Sequence, residues 1–384
     1  MPAKRYLFTP GPTTVPPEVL SALAEPVIHH RGSDFRAAFR DCLQRLKLVF
    51  RTSSDVLLFT ASGTGAMESA VANLCSPGSR VVVVSAGSFG ERWIQIAERY
   101  GCEVVPVRYQ WGEAPAADDL AAVLEQTSGA RAVFVTQSET STGVVADVQA
   151  LAAAARPSGA HVVVDAISSL AAVPLEVDAW GIDVACAGSQ KALMTPPGLA
   201  MVSVSDAVWA PAGRSSSPRF YFDWERTRRA QEQLDSAFTP ATSLVVALNV
   251  ALGLILDAGL EATFERHRLL GRACREGAKA MGLELFSPDD DSAAVVTAIR
   301  APDGVDATEL VRSLRDLHGV QLANGQGQLK GKVFRIGHIG YYDVFDVATA
   351  LGAVELVLAD LGADIERGVA VTRALDVYSQ GARV

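Results

Sequence analysis

Between residues 55 and 205 the chain alternates short apolar runs with longer segments of mixed character. The runs are DVLLFT (55–60), RVVVVS (80–85), CEVVPV (102–107), RAVFVT (131–136), HVVVDA (161–166), DVACAGS (183–189) and LAMVSVS (199–205). They are nearly continuous Val, Leu and Ala rather than in–out alternations. That pattern predicts strands of a mostly parallel sheet covered on both faces. Helical segments are predicted between them at 64–75, 89–100, 117–126 and 147–156. Upstream, TPGPTTVPP (Thr9 to Pro17) is extended and turn-rich. Phe35, Phe39, Cys42, Leu46 and Val49 then recur at helical spacing behind Ser33, a candidate N-cap. Several runs lead into a polar residue, namely Ser85, Thr136, Asp165 and Ser189. Ligands of open α/β sheets sit outside the carboxyl ends of the strands, so the polar chemistry is expected along one rim.

The pattern breaks over 208–240, which mixes Pro, Ser and charge without a clear period. One long helical region is predicted at 241–281. From about 282 the signal changes again: strand-like AVVTAIRA (294–301), a helix near 305–317, strand-like VFRIGHI (333–339) and a helix at 343–361. The last dozen residues read as a loosely attached tail. The expected organisation is an extended arm (1–14), a large domain (15–255) and a smaller α+β domain (256–384). Two domains suit 384 residues.

Composition narrows the function classes. With 49% hydrophobic and 20% charged residues the chain has the balance of a soluble globular protein. A net charge of −9 offers no footprint for nucleic acid or an anionic membrane. No stretch approaches the ~18 apolar residues that span a bilayer. MPAKRYLFTP lacks the apolar core of a signal peptide, so a cytoplasmic location is expected. The five cysteines are scattered and free of C-x-x-C spacing, which speaks against a disulfide framework and a zinc site.

Four features carry candidate chemistry. ASGTGAMESA (Ala61 to Ala70) is a strand-to-helix turn whose unpaired N–H groups suit a phosphate, although a tight turn with no ligand looks the same. It is not a dinucleotide fingerprint, because Glu68 stands where Gly or Ala is required. Asp165 ends an apolar strand, where a carboxylate needs a partner, or caps the next turn. Lys191 follows an apolar strand and precedes Pro-Pro-Gly. Burial would lower its pKa and free the amine to attack a carbonyl; a lysine snorkelling from a loop is the alternative. Arg335 sits inside the apolar strand KVFRIGHIG, facing either a substrate carboxylate or a structural ion-pair partner. Together these are the parts that pyridoxal 5'-phosphate (PLP) chemistry requires.

The motifs TPGPTTVP, SGTGAMESA, TSTGV (140–144), VVDAISSL (163–170), GSQKALMTPPG (188–198) and KGKVFRIGHIG (330–340) resemble those of the class V, fold-type I PLP-dependent aminotransferases, in particular the alanine–glyoxylate / serine–pyruvate group. The resemblance spans nearly the whole chain. It implies a fold-type I α/β architecture and a Schiff base through Lys191. It implies Asp165 on the pyridine nitrogen, and Ser62, Gly63, Thr64 and Gln190 on the phosphate. Thr140 would bond the phenolic oxygen, and Arg335, helped by backbone near Gly11, the substrate carboxylate. Thr239 would cross from the partner of a homodimer with shared sites. Two positions depart from the group's pattern. Phe89 stands where Trp often stacks on the cofactor, and Ser236 stands where eukaryotic enzymes place Tyr. His30-Arg31 resembles a prokaryotic variant, in which Arg31 either reaches the site or lies on the surface. The expected reaction moves an amino group between an alanine- or serine-type amino acid and glyoxylate or pyruvate, with ping-pong kinetics. Aspartate and phospho or phosphono substrates are alternatives. A cysteine desulfurase of the same fold would need a cysteine before the arginine strand, and QLANGQGQLKGK (321–332) has none. A non-catalytic subunit of a larger complex would not need both Lys191 and Asp165.

Overall fold

The computed structural model describes residues 4–209 and 215–381. Its strands are β1 (Tyr6–Leu7), β2 (Asp55–Thr60), β3 (Arg80–Ser85), β4 (Glu103–Arg108), β5 (Ala132–Thr136), β6 (Ser138–Glu139), β7 (Val144–Val145), β8 (His161–Asp165), β9 (Val184–Gly188), β10 (Leu199–Val204), β11 (Val296–Arg300), β12 (Val320–Gln321), β13 (Ala323–Asn324) and β14 (Val333–Gly337). Its helices are α1 (Pro17–Ala24), α2 (Ser33–Phe50), α3 (Gly63–Leu74), α4 (Ser88–Arg99), α5 (Ala117–Gln126), α6 (Val148–Ala155), α7 (Trp224–Glu232), α8 (Thr242–Ala258), α9 (Leu260–Ala280), α10 (Ala307–His318), α11 (Val344–Asp360) and α12 (Val369–Gly381).

The main sheet has seven strands in the order β2-β10-β9-β8-β5-β3-β4. Strand β10 runs against both its neighbours, and the remaining pairs are parallel. Successive residues of a strand point to opposite faces. Val82, Val84, Val133 and Val135 enter a core with Phe35 and Phe39 of α2 and Leu248 of α8. Val81, Val83 and Phe134 enter another with Met67 of α3 and Trp93 of α4. Both faces are dry, which is why the strands read as unbroken apolar runs. Trp93 packs 4.7 Å from the Phe134 ring.

A third core surrounds the antiparallel sheet β11-β14-β13, built from Leu270 and Cys274 of α9, Leu310 of α10, Phe334 of β14 and Leu351 of α11. The N-terminal arm is tied to this region before it reaches the main sheet: β1 pairs in parallel with β12.

Three expectations change. The single helix at 241–281 is two helices that meet at Gly259 (φ 84°) with a bend of 88°. The division expected between 255 and 256 therefore falls inside α8. The segment 208–240 contains α7, capped by Asp223, whose side chain accepts from Arg226 N. It showed no period because only Trp224 and Thr227 of α7 are buried. The C-terminal tail is helix α12 as far as Gly381, docked through Ala370, Ala374 and Val377; residues 382–384 lie outside the described residues. Glu355 accepts from Gly368 N and Ala370 N at its start. Alanines carry a weak hydrophobic signal, so the docking face did not stand out. Among the described residues no single helix is long and apolar enough to cross a membrane.

Candidate active site

The parallel strands deliver their carboxyl ends to one rim. Strand β2 leads to Ser62, β3 to Phe89, β5 to Ser138, β8 ends at Asp165 and β9 leads to Gln190 and Lys191. These residues, with Gly11, Gly63, Thr64, Arg92, Ile167 and Ser168, line a cavity of about 240 Å³. A larger cavity of about 530 Å³ lies elsewhere, among Trp180, Phe264 and Arg268, and contains no lysine.

Lys191 is largely enclosed. Its Nζ donates to Pro10 O at 2.9 Å, and its carbonyl accepts from Thr13 Oγ1 at 2.9 Å. Both partners belong to the arm, so the arm closes over the amine. Gly11 makes this possible: a Cβ there would lie 2.6 Å from Lys191 Nζ, and its φ of 143° disfavours a side chain. Burial lowers the Lys191 pKa to about 8; Asp165 opposes the shift, and Arg335 and Arg92 reinforce it. A neutral amine is therefore accessible near neutral pH, as a nucleophile or base needs.

Asp165 is 4% exposed and accepts one bond, Ile167 N to Oδ1 at 2.8 Å. That is the turn cap foreseen as its alternative role, and it occupies one oxygen only. Burial pushes the carboxyl up to about 7, against the Ile167 bond and with Glu139 adding to the rise. A cationic N–H facing Asp165 would restore the carboxylate.

Ser62 is the N-cap of α3, yet its side chain makes no capping bond, and Gly65 N turns back to Ser62 O at 2.8 Å. The helix thus presents N–H groups, the positive end of its dipole and two hydroxyls to the cavity. Gln190 Oε1 is buried with no partner among the described residues.

Phe89 lies in the first turn of α4. Arg92, one turn on, stacks 4.8 Å above the Phe89 ring and donates to Thr64 Oγ1 at 3.2 Å. Arg92, Ser138, Ile167 and Ser168 were not picked from sequence. The Phe89–Arg92 spacing on one helical face was the available signal for Arg92.

Arg335, Thr140 and Thr239 do not line the cavity. Arg335 is 4% exposed and donates to backbone only: Asn324 O from Nε and Nη2, and Thr140 O from Nη1 at 2.6 Å. Burial lowers its pKa to about 10, and Glu139 opposes this. Among the described residues no carboxylate forms a salt bridge with it. Thr239 lies in an outer depression with Thr60, Tyr221 and Ser236. Ser236 donates to Phe238 O. Arg31 is at the surface, 3.5 Å from Asp235.

The residues fit PLP. An amine, a carboxylate with a spare oxygen, a helix N-terminus with the Gln190 side chain beside it, and an aromatic ring surround one cavity. No cysteine lines it.

Comparison with known proteins agrees. The family model described as aminotransferase class-V matches residues 5–333. The chain is 40% identical to a protein of Synechococcus sp. named soluble hydrogenase, small subunit, over 99% of this chain and 100% of that one. It is 36% identical to the L-aspartate–glyoxylate aminotransferase of Paracoccus denitrificans, over 99% and 98% of the two chains. It is 35% identical to the serine–glyoxylate aminotransferase of Methylorubrum extorquens, over 97% and 96%. Among solved structures, the ureidoglycine–glyoxylate aminotransferase of Bacillus subtilis superposes with a TM-score of 0.94 at 32% identity, over 99% of each chain. Its family match, its mostly parallel fold and an enclosed lysine facing a buried aspartate together place this chain in the class-V aminotransferases, as a PLP-dependent transaminase.

Proposed function

We propose that the enzyme transfers the amino group of a small amino acid of the alanine or serine type to glyoxylate or pyruvate. The observation that carries the reading is the enclosure of the Lys191 amine, the Asp165 carboxylate and the open end of α3 around one cavity. Glyoxylate in the names of three relatives with different amino donors supports that acceptor.

Each side chain then has a task. PLP, when bound, supplies an aldehyde for the amino group and a ring that withdraws electrons from the substrate α-carbon. Ser62, Gly63, Thr64 and Gln190 hold its phosphate, and Phe89 packs on its ring. Asp165 accepts the pyridine N–H and so keeps that nitrogen protonated. Thr140 bonds the phenolic oxygen. Lys191 is placed to take the proton from the substrate α-carbon and would return it at C4′ of the cofactor, on the far side of the amino nitrogen, work suited to a lowered pKa. Arg335 holds the substrate carboxylate with help from the backbone at Gly11; its guanidinium hydrogen-bonds only carbonyl oxygens, and among the described residues no carboxylate forms a salt bridge with it. In the domain scheme proposed here, 15–255 carries the cofactor, 256–384 carries Arg335 and the arm 1–14 covers the amine.

The chain also acts as a homodimer, in this reading, in the cytoplasm. The place of Thr239, in an outer depression rather than in its own chain's cavity, suits a role in the partner's site. The absence of a cavity-lining cysteine disfavours a desulfurase. A relative named as a hydrogenase subunit favours a second reading, that of a subunit in a larger complex. One experiment separates the two. The PLP form is mixed in turn with alanine, serine and aspartate, and conversion to the pyridoxamine form is followed by absorbance. Conversion with a small amino acid, reversed by glyoxylate, supports the transaminase. No conversion with any amino acid would overturn it.

A further inference from the structure

Strand β6 ends, at the start of the turn to β7, on a buried acid that the chemistry above does not use. Glu139 is 2% exposed. Its Oε2 accepts from Phe89 N at 2.9 Å and Gly90 N at 3.1 Å, and its Oε1 from Ser141 N at 3.2 Å and from Ser141 Oγ. Ser141 Oγ in turn accepts from Ser88 N at 3.0 Å. The first three N–H groups of α4 are thus all satisfied from a turn about 50 residues away in sequence. The local N-cap, Gly87, has no side chain to do this. A Cβ at Gly87 would lie 2.6 Å from Glu139 Cδ and 2.5 Å from Ser141 Oγ, so its absence lets the carboxylate in. One residue on, Thr140 O receives Arg335 Nη1.

We propose that Glu139 is a positioning residue: by capping α4 from across the cavity rim it fixes the Phe89 ring, and Arg92 one turn on, as the wall against which the cofactor ring packs. The proposal rests on reading this cavity as the cofactor site. A carboxylate suits the task because both its oxygens accept and all four partners donate. Glutamine would turn an NH2 group toward N–H donors, so E139Q changes the bonding without changing the volume.

The test is cofactor binding to the apo protein, read by equilibrium titration and by the visible circular dichroism of the bound cofactor. Wild type, E139Q, F89A and the double variant are compared, with PLP and with pyridoxal. E139Q is expected to weaken both ligands about tenfold and to reduce the dichroism, because the lost bonds loosen the ring wall rather than the phosphate seat. In the F89A background E139Q should add less than about twofold, since both act through one ring. Should E139Q fail to fold, S141A removes the hydroxyl between Glu139 and Ser88 and is expected to weaken both ligands about threefold. Full additivity of E139Q with F89A, or unchanged affinity and dichroism in E139Q or S141A, would overturn the proposal. A wild type that binds no PLP sinks the cofactor-site reading itself, which is a different outcome.

Discussion

Two helix N-termini meet the same cavity and are finished differently. At α3 the cap residue Ser62 makes no side-chain capping bond, and of the first three N–H groups only Gly65 N turns back, to Ser62 O. At α4 the cap residue is Gly87, and the first turn is filled by Glu139 and Ser141. An open N-terminus is a seat for an anion, because its N–H groups and dipole are unspent. A filled one has no such capacity and serves to fix side chains. In the proposed reading the pair divides the labour of one site: α3 takes charge, α4 takes a ring.

The largest effect lies on neither helix but on the amine between them. Lys191→Ala should lower turnover by about 10³-fold, the scale of a lost general base, and remove the visible absorbance of lysine-bound cofactor. Wild-type rates in that variant would leave both helix ends without a reaction to serve.

Next, Gly87→Val attacks the filled end. The new side chain would strike Glu139 and Ser141, with an expected loss of about 1–3 kcal/mol in chemical denaturation and weaker binding of PLP and pyridoxal alike. A stable variant with normal binding would mean that the closure of α4 does not matter.

Thr64→Val tests the open end. It keeps the volume, removes a hydroxyl and should weaken PLP about tenfold; pyridoxal, which has no phosphate, should lose less, only what the freed Arg92 costs the ring wall. Equal loss for both ligands would erase the distinction between the two helices.

The smallest effect is a pH shift. In apo protein, acylation of Lys191 followed by peptide mass spectrometry should reach half its maximal rate near pH 8 rather than 10.5. Asp165 holds this pKa up, so Asp165→Asn should move the midpoint lower still. An upward shift would contradict the sign of that interaction.

Legibility in the sequence followed how local each signal was. The Val-rich runs marked the sheet because both of its faces are buried. Asp165 and Lys191 stood out because a charge beside an apolar strand costs free energy unless it has work or a partner. Helix α12 was missed because it docks through alanines, and α7 because it buries only Trp224 and Thr227. Glu139 was invisible for another reason: nothing near it in sequence reveals that its partners are Phe89 N and Gly90 N.

The sequence by itself determined a doubly covered sheet, a polar rim at its strand ends, and a lysine and an aspartate on that rim. Each of these is a property of hydrophobic pattern and local charge. Only the tertiary structure decided which helix N-terminus stays open and which is closed. Ser62 and Gly87 are both acceptable cap residues, and the choice depends on whether a distant acceptor reaches the free N–H groups. At α4 a carboxylate does; at α3, among the described residues, no side chain caps the first turn.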